Sequence, residues 1–178
     1  MVLEIKNELL QNSTMAVIFP VGDYPSQINE VVKILGENYG KILYVSLNRL
    51  YNPLKRKMQQ DGVDMTKFIF VDCATKTAVA NPPEAQDCIY VSSPDALTEM
   101  SIAITKSIQN SYPDLVLFDS LSTLLIYENP NVATQFIHSL TNKMNSFGIK
   151  IVFTVLDGEK EKPLIDNLNM LMDKVIRT

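Results

Sequence analysis

The stretch Leu115–Phe118, "LVLF", followed by Asp119 and Ser120, constrains the fold most. Its residues are apolar without alternation, so neither face of an extended segment there suits water. Strands of that kind belong to parallel sheets covered by helices on both faces. "IKIVFTVL", Ile149 to Leu156, has the same character. Between such runs lie stretches with apolar residues at helical spacing. Strands alternating with helices predict an α/β fold with a mainly parallel central sheet and helices on both faces.

The rest of the chain fits that alternation. A short amphipathic segment is expected over Leu3 to Leu10, then a strand near Met15 to Phe19 and a helix near Ser26 to Glu37. "GKILYVSL", from Gly40, reads as a strand rich in β-branched and aromatic residues. "NPLKRKMQQDG" reads as a helix that stops at Gly62. "FIFVDC" is a third strand, "ATKTAVANPPEAQD" a polar loop, and "CIYVSS" a short strand or an extended segment. "SPDALTEMSIAITKSIQNSY" predicts a helix capped by Ser93, with Pro94 at its first position. "NPNVATQFIHSLTNKMNSFG" predicts a helix closed by Gly148, "KPLIDNLNMLMD" another, and "KVIRT" a last strand.

Composition narrows the function. A chain of 178 residues suits a single domain with a sizeable core. The net charge of −4 argues against a broadly basic nucleic-acid surface. The basic run Lys55 to Lys57 reads as a solvated helix face. Cys73 and Cys88 lack metal-ligand spacing and read as core residues in a reducing compartment. No segment is long and apolar enough to span a bilayer, and the N-terminal stretch lacks the apolar region of a signal peptide. The expected location is cytoplasmic. His138, the sole histidine, reads as a helix-surface residue.

In open α/β sheets ligands bind at the carboxyl ends of the strands. Gly22-Asp23-Tyr24-Pro25-Ser26 follows the first strand, Asn48 and Arg49 the second, Asp72 and Cys73 the third. Asp119 and Ser120 follow "LVLF", and Thr154 ends "IVF". A strand, a turn and a helix is where nucleotide-binding proteins cradle phosphate, but the pattern G-x-x-x-x-G-K-S/T fails here. Tyr24 is bulky where glycine is wanted, and Pro25 has no N–H to offer. Ser26 offers a hydroxyl that serves equally as a helix cap. Asp119 has the look of an aspartate that helps hold Mg²⁺, with a turn or capping role as the alternative.

Several blocks together resemble the KaiC-like branch of the RecA-like ATPases. "KILYVSLNRLYNPLKRKMQQDGVDMTKFIFVDCAT" is similar to that branch's second strand, helix and third strand, where "YVSLEE" and "GID…FID" are common. "SSPDALTEMSIAI" resembles the stretch before its fourth helix, and "PDLVLFDSLSTLLIY" its Walker-B strand. "FGIKIVFTV" resembles the next core strand and "MDKVIRT" the closing one. The similarity runs from Met15 to Thr178 and implies one three-layer RecA-like domain over residues 1–178.

The resemblance also shows what is missing. Gly22-Asp23-Tyr24-Pro25-Ser26 overlies the family's Gly-Thr-Gly-Lys-Thr, and Asn48-Arg49 replaces its catalytic glutamates. Asp119 remains. The implied protein has no catalytic residues and acts as a regulatory or scaffolding module, with a protein partner or self-association, and with neither membrane nor nucleic acid expected. No cofactor is expected, with weak ATP–Mg²⁺ binding left open. A residual nucleotide pocket would use Gly22, Ser26, Asp119, Ser120 and Thr154, with Asp119 as the residual Mg²⁺ ligand. The alternatives are a nucleotide-binding protein with slow or no turnover, or a DNA-repair accessory paralogue. The acidic balance and absence of Trp count against the last.

Overall fold

Each continuously apolar run becomes a strand sealed between helices. In the computed structural model, which describes residues 2–178, helix α1 (Val2–Gln11) leads to β1 (Thr14–Phe19), α2 (Tyr24–Asn38) and β2 (Ile42–Ser46). Then come α3 (Tyr51–Gln60), a 3₁₀ turn (Met65–Lys67), β3 (Phe68–Asp72), α4 (Thr75–Ala78) and β4 (Cys88–Tyr90). The second half holds α5 (Leu97–Ser111), β5 (Leu115–Asp119), α6 (Leu121–Tyr127), α7 (Pro130–Phe147), β6 (Lys150–Leu156), α8 (Lys162–Leu171) and β7 (Lys174–Arg177).

The seven strands form one sheet in the order β4-β3-β2-β5-β6-β1-β7, and every ladder is parallel. The strands β5 and β6 sit at its centre, with Val116 and Val152 fully buried. One face packs on α1, α2 and α3 through Ile5, Leu9, Ile28, Val31, Val32, Leu35, Leu54 and Met58. The other packs on α5, α6, α7 and α8, among them Ile104, Leu124, Ile137 and Leu168. This is a three-layer α/β architecture. Each fully buried Leu, Ile, Val or Phe stabilises it by roughly 1.5–3 kcal/mol.

The helix ends follow local chemistry, with one correction. Gly62 and Gly148 take left-handed backbone at φ 79° and 69°, stopping α3 and α7 as their sequence suggests. Asn129 caps α7, accepting from the N–H groups of Asn131 and Val132 at 3.0 and 3.1 Å. Ser93 does not cap α5, and Pro94 lies outside the helix, which begins three residues later than the Pro signal suggests, at Leu97. Ser93 to Ala96 instead close a turn, the Ala96 N–H donating to the Ser93 carbonyl at 3.2 Å. Proline suits the second position of such a turn as well as it suits a first helical turn. The expected loop after β3 contains the short α4, and α6 is a helix that its run "LSTLLIY" does not announce. Cys73 and Cys88 are buried free thiols, and His138 is exposed on α7.

Candidate functional site

The strand alternation gathers polar side chains on one face at one end of the sheet. On the face toward α2 and α3, the rows below are apolar: Leu115 and Leu117 on β5, Ile42 on β2, Val152 on β6. The next positions upward are Asp119, Ser46, Thr154 and, on β3, Asp72, all 1% exposed or less. Ser46 pairs in register with Asp72 on one side and Asp119 on the other. A charge buried so deeply must be paired or hydrogen-bonded to persist.

Asp119 is enclosed by three side chains. The Tyr24 hydroxyl donates to Oδ1, and the Tyr44 hydroxyl donates to Oδ2 at 2.5 Å. The Arg49 Nε lies 3.7 Å from Oδ2. Tyr24 comes from the first turn of α2, Tyr44 from the row below on β2, and Arg49 from the turn after β2. Burial and then the Asp119 charge push both phenols well above their ordinary range, so both stay protonated and donate. The Arg49 guanidinium also lies 5.9 Å from the centroid of the Tyr24 ring, a cation–π arrangement. The turn that aims Arg49 is closed by Ser46, whose hydroxyl donates to the Arg49 carbonyl at 2.8 Å. The peptide bond between Asp119 and Ser120 is cis.

The remaining candidates fall around this centre. Thr154 Oγ1 lies 2.9 Å from the Tyr24 hydroxyl and 3.2 Å from the Phe118 carbonyl. The single Thr154 hydroxyl proton has two acceptors within reach, the Phe118 carbonyl and the Tyr24 oxygen. Ser120 caps α6, its hydroxyl accepting from the Thr123 N–H at 3.3 Å. Ser26 is exposed and its hydroxyl donates to Asp23, on the outer side of the turn. Gly22 is exposed and has neither a left-handed φ nor a neighbour within 4 Å of where a Cβ would stand. The turn therefore does not require glycine there. Pro25 lies within the first two positions of α2, as its missing N–H allows.

The structure thus brings Asp119 and Thr154 together, gives Ser120 and Ser26 local roles, and leaves Gly22 exposed and without contacts to the others. Tyr44 is the participant that sequence reading misses, since inside "KILYVSL" it looks like strand filling. Tyr24 is visible in the sequence only as an obstruction. Its edge packs on Phe19 with centroids 5.5 Å apart, which turns the ring down onto Asp119. Asp72 is a structural hub: it accepts from the backbone N–H groups of Tyr51, Ala74 and Thr75, and ties α3 to the end of β3.

A cleft of about 460 Å³ opens beside Tyr24, lined also by Asn48, Ser122, Thr123 and Lys160. The residues present do not fit a Mg²⁺-bound phosphate. The carboxylate that would face the metal already holds two phenol protons and a guanidinium. The Tyr24 ring occupies the space above it, and Pro25 interrupts the loop's N–H groups.

Comparison with known proteins agrees with the architecture. A family model described as "Family of unknown function (DUF7504)" matches residues 35–178. The chain belongs to that family. The matched span includes Tyr44, Arg49, Asp119 and Thr154 and begins after the Tyr24 turn. No curated protein matches the chain. Among solved structures it is similar to the KaiC-like protein PH0186 from the hyperthermophilic archaeon Pyrococcus horikoshii OT3, at 15% identity and a TM-score of 0.65. The match covers 93% of this chain and 70% of that one. The fold is RecA/KaiC-like. No helix among the described residues is long and apolar enough to cross a membrane.

Proposed function

We propose that this chain is a RecA/KaiC-like domain that does not hydrolyse nucleotide and works as a regulatory or scaffolding module through protein contacts, with self-association among the candidates. The single observation that carries this reading is the closure of Asp119 by Tyr24, Tyr44 and Arg49. Arg49 supplies the positive charge that a divalent cation would bring, and Tyr24 fills the room a phosphate would need. No carboxylate stands at Asn48 or Arg49 to activate water. A domain closed in this way keeps its outer surfaces for other chains.

Phosphate release from ATP–Mg²⁺ tests this. The expected rate equals the buffer blank and is the same for Asp119→Ala. Release above the blank that Asp119→Ala abolishes would overturn the reading. The cleft beside Tyr24 favours a second reading, slow or absent turnover with nucleotide bound there. Saturable binding of ATP without release would support that one instead.

A further inference from the structure

At the opposite, amino end of the sheet lies an open cleft of about 710 Å³, unconnected with Asp119. Its walls are the final residues of α2, α5 and α7 and the links that follow them, Asn38 to Gly40, Ile108 to Asp114, and Phe147 to Lys150. The last turns of all three helices carry no basic side chain. At α2 the Lys67 ammonium answers that end, donating to the Gly36 carbonyl at 2.7 Å, whereas the negative dipole ends of α5 and α7 meet at the cleft without such a cation. Asp114 adds a full negative charge; its Oδ2 accepts from the N–H groups of Gly40 and Lys41, each at 2.9 Å. The one basic residue in the lining, Lys150, turns away: its ammonium donates to the Leu9 and Asn12 carbonyls at 2.7 and 2.8 Å. There it serves the end of α1, as Lys67 serves the end of α2, an arrangement that the ends of α5 and α7 lack.

The cleft also carries three aromatic rings, Tyr39, Tyr112 and Phe147. Tyr112 is 80% exposed and Phe147 46%. Tyr112 ends α5 in left-handed backbone, φ 46° and ψ 62°, where glycine or asparagine is favoured. Its ring gains almost no burial there to offset that strain, a cost of the kind that gathers at ligand sites. Burial and then the Asp114 charge raise the Tyr39 phenol above its ordinary value, so the negative field of Asp114 reaches the cleft wall.

We propose that this cleft binds a small organic cation: an ammonium on an apolar body, its charge against Asp114 and the ends of α5 and α7, its body among the Tyr39, Tyr112 and Phe147 rings. Negative dipoles, a carboxylate and aromatic faces each favour a weakly hydrated cation, and together they select it over an anion or a neutral molecule. The volume falls within the range of small-molecule sites.

Choline serves as the probe, and 3,3-dimethylbutan-1-ol as a molecule of the same shape without the charge, each titrated by NMR into the full chain. Choline should saturate, with shifts confined to the cleft, and the alcohol should bind about tenfold more weakly. Tyr112→Phe should bind as wild type does. Tyr112→Gly should raise the melting temperature, by relieving the left-handed strain, and yet weaken choline at least about threefold. Gln109→Lys, which places an ammonium in the last turn of α5, should stabilise the fold and displace choline. Equal binding of choline and the alcohol, no saturation by choline, or unchanged affinity in Tyr112→Gly would overturn the proposal.

Discussion

At the scale of single residues, the chain turns on how the buried Asp119 carboxylate is held. Arg49 and the two phenols share that task, so their effects should be coupled. Arg49→Ala should cost up to roughly 3 kcal/mol, because it leaves a buried carboxylate without its counter-ion. In an Asp119→Asn background the same change should cost much less, and urea denaturation of the four proteins in that cycle measures the difference. Equal costs in both backgrounds would mean that the 3.7 Å pair contributes nothing.

The phenols make a separate prediction about pH. Tyr24 and Tyr44 titrate higher in the folded chain than the ordinary value near 10, as burial and Asp119 require. The unfolded chain therefore loses those protons first. Their contribution is complete below about pH 10 and is lost as pH rises from there through the folded values. The buried thiols of Cys73 and Cys88 are also pushed up and add a decline that starts near pH 8.5. The double variant Tyr24→Phe, Tyr44→Phe should lessen only the part above about pH 10, where the raised phenols of Tyr39, Tyr51 and Tyr90 still contribute. Urea midpoints measured from pH 7 to 11 separate the two parts.

At the scale of elements, caps and turns give the sharpest contrast. Asn129 holds two N–H groups of α7, so Asn129→Ala should cost about 1 kcal/mol. Ser93→Ala should be nearly neutral, since Ser93 stands in a turn ahead of α5. A large loss at Ser93 would return it to the capping role its sequence suggests. That pair also shows where sequence reading stops. Continuous apolar runs such as "LVLF" declare buried parallel strands because no other placement hides both faces. Ser-Pro ahead of an amphipathic stretch does not distinguish a turn from a helix start, because proline's fixed φ suits both. The α6 run escapes notice because its seven residues, only about two helical turns, are mostly apolar and follow closely on a strand, so they read as more of the same apolar pattern. The site was legible as a set of strand ends, with Asp119 and Thr154 in place. Its closure was not, because the direction of the Tyr24 ring depends on the turn from Pro20 to Asp23 and on contact with Phe19.

At the scale of the whole molecule, the central strands carry the stability and their carboxyl ends carry the closed Asp119 cluster. Val152 is fully buried on β6 between β5 and β1. Val152→Ala should cost a few kcal/mol from lost burial and the cavity left behind, read from the denaturation midpoint. A near-zero cost would mean that the centre of the sheet repacks freely. On the proposed reading, the distinction from a working nucleotide site lies at the carboxyl ends of the same strands. Pro25→Lys alone should not create tight ATP binding, because Tyr24 still occupies the space and Asp23 still repels an anion. Changing Asp23, Tyr24 and Pro25 together to Thr, Gly and Lys removes the repulsion and the bulk as well as adding the charge, and should bind nucleotide more tightly than either.

The central claim is that Tyr24, Tyr44 and Arg49 close Asp119 to a nucleotide-bound metal. Calorimetric titration of ATP–Mg²⁺ into the wild-type chain, into Pro25→Lys and into the triple variant, at fixed Mg²⁺ and salt, tests it most directly. No saturable heat is expected for the wild type or for Pro25→Lys, and measurable binding is expected for the triple variant. Tight binding by the wild type, or by Pro25→Lys alone, would contradict it.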